Sequence, residues 1–168
     1  KGFGGHFHNE NSISIFRDVP GLIVASPSNG ADAVMMLRAC VDLAQNKGCI
    51  IVFIEPIALY ATKDLLQSGD LLWLSLYPNV DRQILLGEIG VFGKGTDLII
   101  ISYANGVYLS RQAENKLRLK KIDIKIIDLR WLKPLPIKSL KRELIGYRRV
   151  LIVDECRKGG SISEEILL

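Results

Sequence analysis

Cysteine, histidine and long apolar runs are all scarce in this chain of 168 residues, and each scarcity removes a class of protein. The cysteines are Cys40, Cys49 and Cys156, an odd set spread along the chain with no Cys-x-x-Cys pair. That pattern speaks against a disulfide framework or a zinc site and for a reduced, cytoplasmic protein with buried thiols. The longest uninterrupted apolar run is Cys49 to Ile54, far short of the roughly 20 residues that span a bilayer, so no membrane crossing is expected. Histidine occurs only as His6 and His8. What the chain does have is 48% hydrophobic and 24% charged residues, ample for a packed core and unlike a disordered chain. Its length suggests one domain, or one and a part. It opens on Lys1 and a glycine-rich stretch and closes on Ile166-Leu167-Leu168, ends that read as cuts in a longer chain.

The formal charge of +4 is unevenly spread. Residues 1–80 carry net −2 and residues 81–168 net +6, with thirteen basic against four acidic residues between Arg111 and Arg149. Nucleic acid is the obvious partner for a basic tract, but no zinc motif, arginine-rich arm or aromatic–basic interleaving accompanies it. Helical spacing instead sets Arg111, Arg118, Lys120 and Lys121 on the solvated side of a Leu109–Ala113–Leu117 stripe. An acidic protein partner remains open.

Apolar patterning resolves the elements. An apolar-periodic segment, Ile13 to Val19, ends at Pro20-Gly21. Buried strands are predicted at Leu22–Ala25, Ile50–Ile54, Leu98–Ile101, Ile124–Ile127 and Val150–Val153. Helices are predicted at Ala31–Gln45, packed on two faces, at Val107–Lys121, at Ile137–Ile145 and from Ser161. Asn29 suits a helix cap, and Asp32 suits the first turn. Residues 57–96 read as a less regular connection. Strand–helix alternation with short apolar strands predicts an α/β fold with a mainly parallel sheet.

Few residues suggest chemistry unaided. His8 lies in a loop ahead of a strand–helix unit, where an imidazole can exchange a proton near neutrality; a structural histidine is the alternative. Gly87-x-x-Gly90-x-x-Gly93-x-Gly95 precedes a strand instead of following one, so it reads as a flexible surface loop and not a phosphate cradle. Asp154-Glu155 ends a strand at the edge where α/β sites form, although carboxylates there are often merely solvated. The chain has no Gly-x-Ser-x-Gly elbow and no His-Glu-x-x-His.

The order of the short motifs is more specific than any one of them. His8-Asn9-Glu10 is followed by Pro20-Gly21-Leu22, Pro27-Ser28, Phe53-Ile54-Glu55-Pro56 and Leu59-Tyr60. Ile126-Ile127-Asp128-Leu129-Arg130 precedes Leu132-x-Pro134-Leu135, and Asp154-Glu155 precedes Gly159-Gly160 and Glu165-Ile166. Over almost its whole length this resembles the beta subunit, or the C-terminal half of a fused chain, of the thiamine-diphosphate-dependent decarboxylating component of 2-oxo acid dehydrogenase complexes. That component belongs to the transketolase-like superfamily. The resemblance implies that residues 1–60 end a pyrimidine-binding domain, 61–95 form a linker and 96–168 are a transketolase C-terminal-like domain, truncated. It places His8 on the family's active-site histidine, which assists decarboxylation and acyl transfer to a lipoyl group; an imidazole can stabilise and protonate a developing oxyanion.

His6 falls on no motif position and is kept as a supporting candidate. Cys40 falls where some relatives hold potassium through backbone oxygens, but the stretch to Glu55 is longer here, and a buried packing cysteine is the preferred reading. His-Asn-Glu in place of the family's His-Ser-Gln puts an anionic Glu10 near the site. Pro136 replaces a helix-capping aspartate.

The resemblance further implies thiamine diphosphate and magnesium as cofactors, bound mainly by residues outside this segment, so the segment alone is expected to be inactive. The implied partners are an alpha-type subunit or fused N-terminal half, a second copy of the chain, and the lipoyl acyltransferase component. Two alternatives are retained. One is a non-catalytic docking and dimerisation module. The other is a segment of a related enzyme such as transketolase or deoxyxylulose-phosphate synthase, which lack the Ile-Asp-Leu-Arg…Pro-Leu wording.

Overall fold

The computed structural model describes residues 13–156 and 159–168. It is an α/β structure built on two sheets. The first begins with β1 (Leu22–Ala25), entered from a short helix α1 (Ile13–Arg17). Helix α2 (Gly30–Lys47) then crosses over to β2 (Ile50–Phe53), which pairs with β1 in parallel, Leu22 opposite Ile50 and Ala25 opposite Phe53. The ends of α2 follow from its sequence. The Asn29 side chain accepts a hydrogen bond from the Asp32 amide at 3.0 Å, and Gly48 takes the left-handed conformation (φ 65°) that ends the helix.

A long connection with one turn of 3₁₀ helix (Ile57–Leu59) leads to the second sheet. Its strands are β3 (Gly90–Phe92), β4 (Leu98–Ser102), β5 (Ile124–Asp128) and β7 (Val150–Ile152), in the spatial order β3-β5-β4-β7. Strands β4, β5 and β7 are parallel, and β3 lies antiparallel on the outer edge of β5. Helix α3 (Ala104–Leu119) connects β4 to β5, α4 (Ile137–Leu144) precedes β7, and α5 (Ile162–Leu167) follows it. Just after β5, three residues form β6 (Trp131–Lys133), which pairs antiparallel with β1. The sheet begun within the first 60 residues is therefore completed by a strand from far downstream.

Period-two alternation divides the core. Ile99 and Ile101 of β4 face one apolar cluster, together with Val24, Ile127, Leu129, Leu132 and Leu140. Ile100 faces another with Ile124 and Ile126. Val24 of β1 joins the first cluster, whereas Ile23 and Ala25 face a third with Met36, Ala39, Cys40 and Trp131. Because the first cluster takes residues from both sheets, it welds them into one core.

Three expectations need correction. Helix α2 is not packed on two faces: Leu37 and Val41 are about half exposed. The buried stripe of α3 is Gly106, Val107, Ser110 and Glu114, with Leu109 exposed, because the helix packs its small and polar residues onto the sheet. The glycines from Gly87 to Gly95 do not form a simple surface loop. Gly90 starts β3 and is buried, where a Cβ would lie 3.1 Å from that of Asp128.

Gly95 gives a test of this packing. An added methyl there would overlap the backbone of Asp123 and Ile124, which is pinned by Gly95 N–H to Ile124 O at 3.2 Å and Asp97 N–H to Asp123 O at 3.1 Å. Gly95→Ala should lower unfolding stability by about 2–3 kcal/mol, as forced overpacking does. Gly69→Ala, a left-handed position with open space around it, should cost only about 1 kcal/mol. Urea melts of the two variants compare them, and equal losses would contradict the steric account.

Candidate functional site

Because β1 and β2 run in parallel and in register, the segments leaving them rise from the same, carboxyl, edge of the first sheet. Ligand crevices of open parallel sheets form at that edge. A cleft of about 320 Å³ opens there. One wall is Pro27 to Gly30, another comes from Glu55, Pro56, Leu59 and Tyr60, and the third from Trp73, Leu74 and Ser75. Ser75 Oγ accepts a hydrogen bond from the Ala31 amide at 3.1 Å, so the connection is tied to the first turn of α2. The Tyr60 hydroxyl donates to the Glu55 carboxylate, and that bond holds the Tyr60 pKa above its ordinary value. The Trp73 ring meets Tyr108 of α3 edge-on at 5.0 Å, while Tyr108 Oη and Gln112 Nε2 donate to the carbonyls of Asp64 and Leu65 at 2.9 and 2.7 Å. The cleft thus offers hydroxyls, an aromatic and apolar wall and one carboxylate, with neither lysine nor arginine among the described residues that line it. That donor set suits an uncharged, partly apolar group.

Beneath the Pro27–Gly30 wall lies a buried polar knot. Asp128, at the end of β5, is fully buried. Its Oδ2 accepts from Ser28 Oγ at 2.5 Å and its Oδ1 from the Arg130 amide at 3.2 Å. The Arg130 guanidinium donates through Nε to Asp32 Oδ2 of α2 at 2.8 Å, with both side chains largely buried. Arg130 adopts a left-handed backbone (φ 59°), a conformation costing about 1 kcal/mol that persists because both its ends are fastened. Burial raises the Asp128 carboxyl to about 7, against the opposing hydrogen bond from Ser28 and the nearby Arg130 charge.

The sequence-predicted residues fare unevenly. His8, with His6, Asn9 and Glu10, lies outside the described residues. Cys40 is buried, and burial pushes its thiol up to about 11, so it is a packing residue that stays protonated at neutral pH. Among the described residues no three His, Cys, Asp or Glu side chains gather as a metal site. Asp154 is not simply solvated. It accepts from Tyr103 Oη at 2.6 Å and from the Ser163 amide at 2.9 Å, joining the end of β7 to α5. Much of the basic tract is engaged internally. Arg111 and Arg118 flank buried Glu114 at 3.4 and 3.3 Å, Arg111 stacks over Phe92, and Lys125 pairs with Glu143 at 3.3 Å. Lys138, Lys141, Arg142, Arg148 and Arg149 stay exposed.

Residues missed as a site are Ser28, Asp32, Asp128 and Arg130. One signal was present: a carboxylate inside an isoleucine-rich strand, followed two positions later by arginine, is costly to bury without a partner.

Comparison with known proteins gives a consistent picture. Residues 87–168 match the family described as transketolase, C-terminal domain. The chain is 28% identical over 160 residues to the pyruvate dehydrogenase E1 component subunit beta of Cyanidium caldarium, covering 95% of this chain and 44% of that protein. It is 28% identical over 166 residues to the mitochondrial 2-oxoisovalerate dehydrogenase subunit beta of Dictyostelium discoideum, covering 98% and 41%. The chain therefore spans less than half the length of these relatives. Among solved structures, a split-gene transketolase in an inactive beta4 tetramer superposes with a TM-score of 0.67 at 17% identity, over 91% of this chain and 45% of that one. A 2-oxoglutarate:ferredoxin oxidoreductase from Magnetococcus marinus gives 0.59 at 15% identity, over 87% and 37%. At these identities the two structures share the fold.

The knot makes a prediction of its own. Arg130→Met strands the buried Asp32 carboxylate without its cation and should cost about 3–5 kcal/mol in denaturant unfolding at neutral pH. Adding Asp32→Asn should recover part of the loss. An Arg130→Met protein as stable as the parent would show that the knot does not fasten the sheets.

Proposed function

We propose, from the match of residues 87–168 to the family described as transketolase, C-terminal domain, that the chain is the C-terminal part of the beta-type half of a 2-oxo acid dehydrogenase. The parent enzyme decarboxylates a 2-oxo acid and passes the acyl unit to a lipoyl carrier. One observation carries this reading. Three motifs far apart in sequence, Pro27-Ser28, Glu55-Pro56 with Leu59-Tyr60, and Asp128-Leu129-Arg130, converge on a single cleft and the polar knot beneath it. Similarity to the beta subunits of pyruvate and 2-oxoisovalerate dehydrogenases along nearly the whole chain adds to it. The chain's organisation under this reading is 1–60, 61–95 and 96–168, with β6 bridging back to the first part.

Thiamine diphosphate and magnesium supply the carbanion chemistry in such enzymes. The residues described here do not fit them. Among the described residues, the cleft lining has no cation to hold a diphosphate and no metal-ligating cluster is formed. In this proposal the other half of the enzyme holds both groups, and the isolated segment is inactive. The role left to this chain is His8, which would stabilise a developing oxyanion and hand over a proton during acyl transfer. The proposal keeps the reducing, cytoplasmic setting read from the odd, scattered cysteines of the sequence.

Self-association and docking belong to the same proposal. The connection exposes Leu72, Leu74, Leu76 and Tyr77, with Leu76 at 92%, and Tyr77 lines a groove with Leu37 and Val41 of α2. Exposed apolar surface is the usual mark of an interaction site. We assign it to a second copy of the chain, and the exposed basic residues of α4 and the turn before β7 to the acyltransferase component.

Two measurements test the proposal. In the intact enzyme, His8→Ala should reduce acyl transfer to a lipoyl carrier by about 10²–10⁴-fold, and undiminished transfer would sink the assignment. In sedimentation analysis, Leu72→Glu with Leu76→Glu should shift the protein toward monomer. An unchanged mass would reject this surface as the self-association face.

A further inference from the structure

The two sides of helix α2 carry unlike burdens. Asp32, Met36, Ala39 and Cys40 are buried and turn one side toward the first sheet. Val34, Leu37, Arg38, Val41 and Gln45 recur at the helical repeat and make a single stripe on the opposite side. A helical face turned away from the core is ordinarily polar. This one is aliphatic at Val34, Leu37 and Val41, and Leu37 and Val41 are 49% and 48% exposed. Together with Asp42, Tyr77 and Gln83 the stripe lines a groove of about 510 Å³.

The charges in the groove are set in position. Arg38 donates to the carbonyls of Asn79 and Arg82 at 2.6 and 3.1 Å, and its guanidinium lies over the Tyr77 ring at 5.5 Å. Asp42, one turn further along α2, accepts from Asn46 Nδ2 at 2.6 Å. Neither makes an ion pair among the described residues. The stripe therefore runs from Val34 through Leu37 with Arg38 to Val41 with Asp42, and ends at Gln45. That order is its own complement. Laid antiparallel about a twofold axis, two such stripes bring Arg38 of each copy to Asp42 of the other, while Leu37 and Val41 of both close the middle. A parallel pairing would set Arg38 against Arg38 and Asp42 against Asp42. Paired charges around an apolar centre fix orientation more than they add affinity.

We propose that α2 packs antiparallel against α2 of a second copy across a twofold axis, with Leu37 and Val41 at the centre and two Arg38–Asp42 ion pairs flanking them. The pairing rests on the self-association proposed above and supplies its geometry. Tyr77 lines the same groove and carries the contact outward to the exposed leucines of the connection. The second copy then covers the aliphatic face that the core of its own subunit leaves open.

The test is sedimentation equilibrium of the intact protein and two charge variants. Asp42→Lys sets a lysine against Arg38 of the other copy, and Arg38→Glu sets a glutamate against Asp42. Each variant alone should dimerise about tenfold or more weakly than the parent. Mixed, they restore both ion pairs, and the heterodimer should form with the affinity of the parent. Should Arg38→Glu release the connection it ties and fail to fold, Val41→Cys decides. It lies near the axis and should form a disulfide-linked dimer under mild copper oxidation, much faster than Lys116→Cys on the exposed side of α3. A parent that stays monomeric at every concentration overturns self-association itself. A dimeric parent overturns the α2 pairing alone if its charge variants dimerise as well as it does, if the two folded variants give no heterodimer, or if the two cysteine variants cross-link equally.

Discussion

The contact between Ser28 and Asp128 is the one on which the rest of the structure depends. It joins residues 100 positions apart and spans the two sheets. A carboxyl with no exposure to water is tolerable only if its oxygens are bonded and a cation is near. Those needs explain neighbouring features that look unrelated. Gly90 leaves the pair its room, since a Cβ would lie tightly, 3.1 Å from the Asp128 Cβ and 3.2 Å from the Arg130 guanidinium carbon. Arg130 accepts a left-handed backbone so that its amide reaches Asp128 and its side chain reaches Asp32. The same reversal sends Trp131 to Lys133 back onto β1, where Arg130 O receives the Ser26 amide at 2.8 Å.

This arrangement puts the second sheet in mechanical contact with the cleft on the first. Ser28 faces the cleft on one side and Asp128 on the other, and the first turn of α2 is held by Asn29, Ser75 and Arg130 together. A displacement of β5 is therefore felt at the cleft wall without any change in the cleft's own lining. That mixture of roles suits a chain similar to subunits of larger assemblies, in which sites are built at junctions between parts.

Much of the fold was legible in the sequence because its strands are dense apolar runs. Ile99, Ile100 and Ile101 could hardly be other than a strand buried on both faces, and Asn29 and Gly48 marked the ends of α2. β3 and β6 were not legible. Each is three residues long, one led by a glycine and the other enclosed between Arg130 and Pro134, and each is held by pairing to a distant partner instead of by its own pattern. The α3 stripe was misplaced for a related reason. Glu114 is buried because Arg111 and Arg118 flank it, and periodicity counts a glutamate as solvated. The cleft could be approached through the motif resemblance. The knot could not, since spacing along the chain does not say which buried carboxylate meets which hydroxyl.

The position of β6 also bears on how the chain acquires its shape during synthesis. β1 gains its antiparallel neighbour only when residues 131–133 are available, and Ser28 its acceptor only when Asp128 is. Domains generally fold as units as the chain emerges, and pairings distant in sequence form late. The β1–α2–β2 unit must therefore wait on the ribosome with one strand edge unpaired and the Ser28 hydroxyl unmatched. Such an interval is when an exposed edge recruits the wrong strand, and it is the stage at which a chaperone would contribute most to the yield of folded protein.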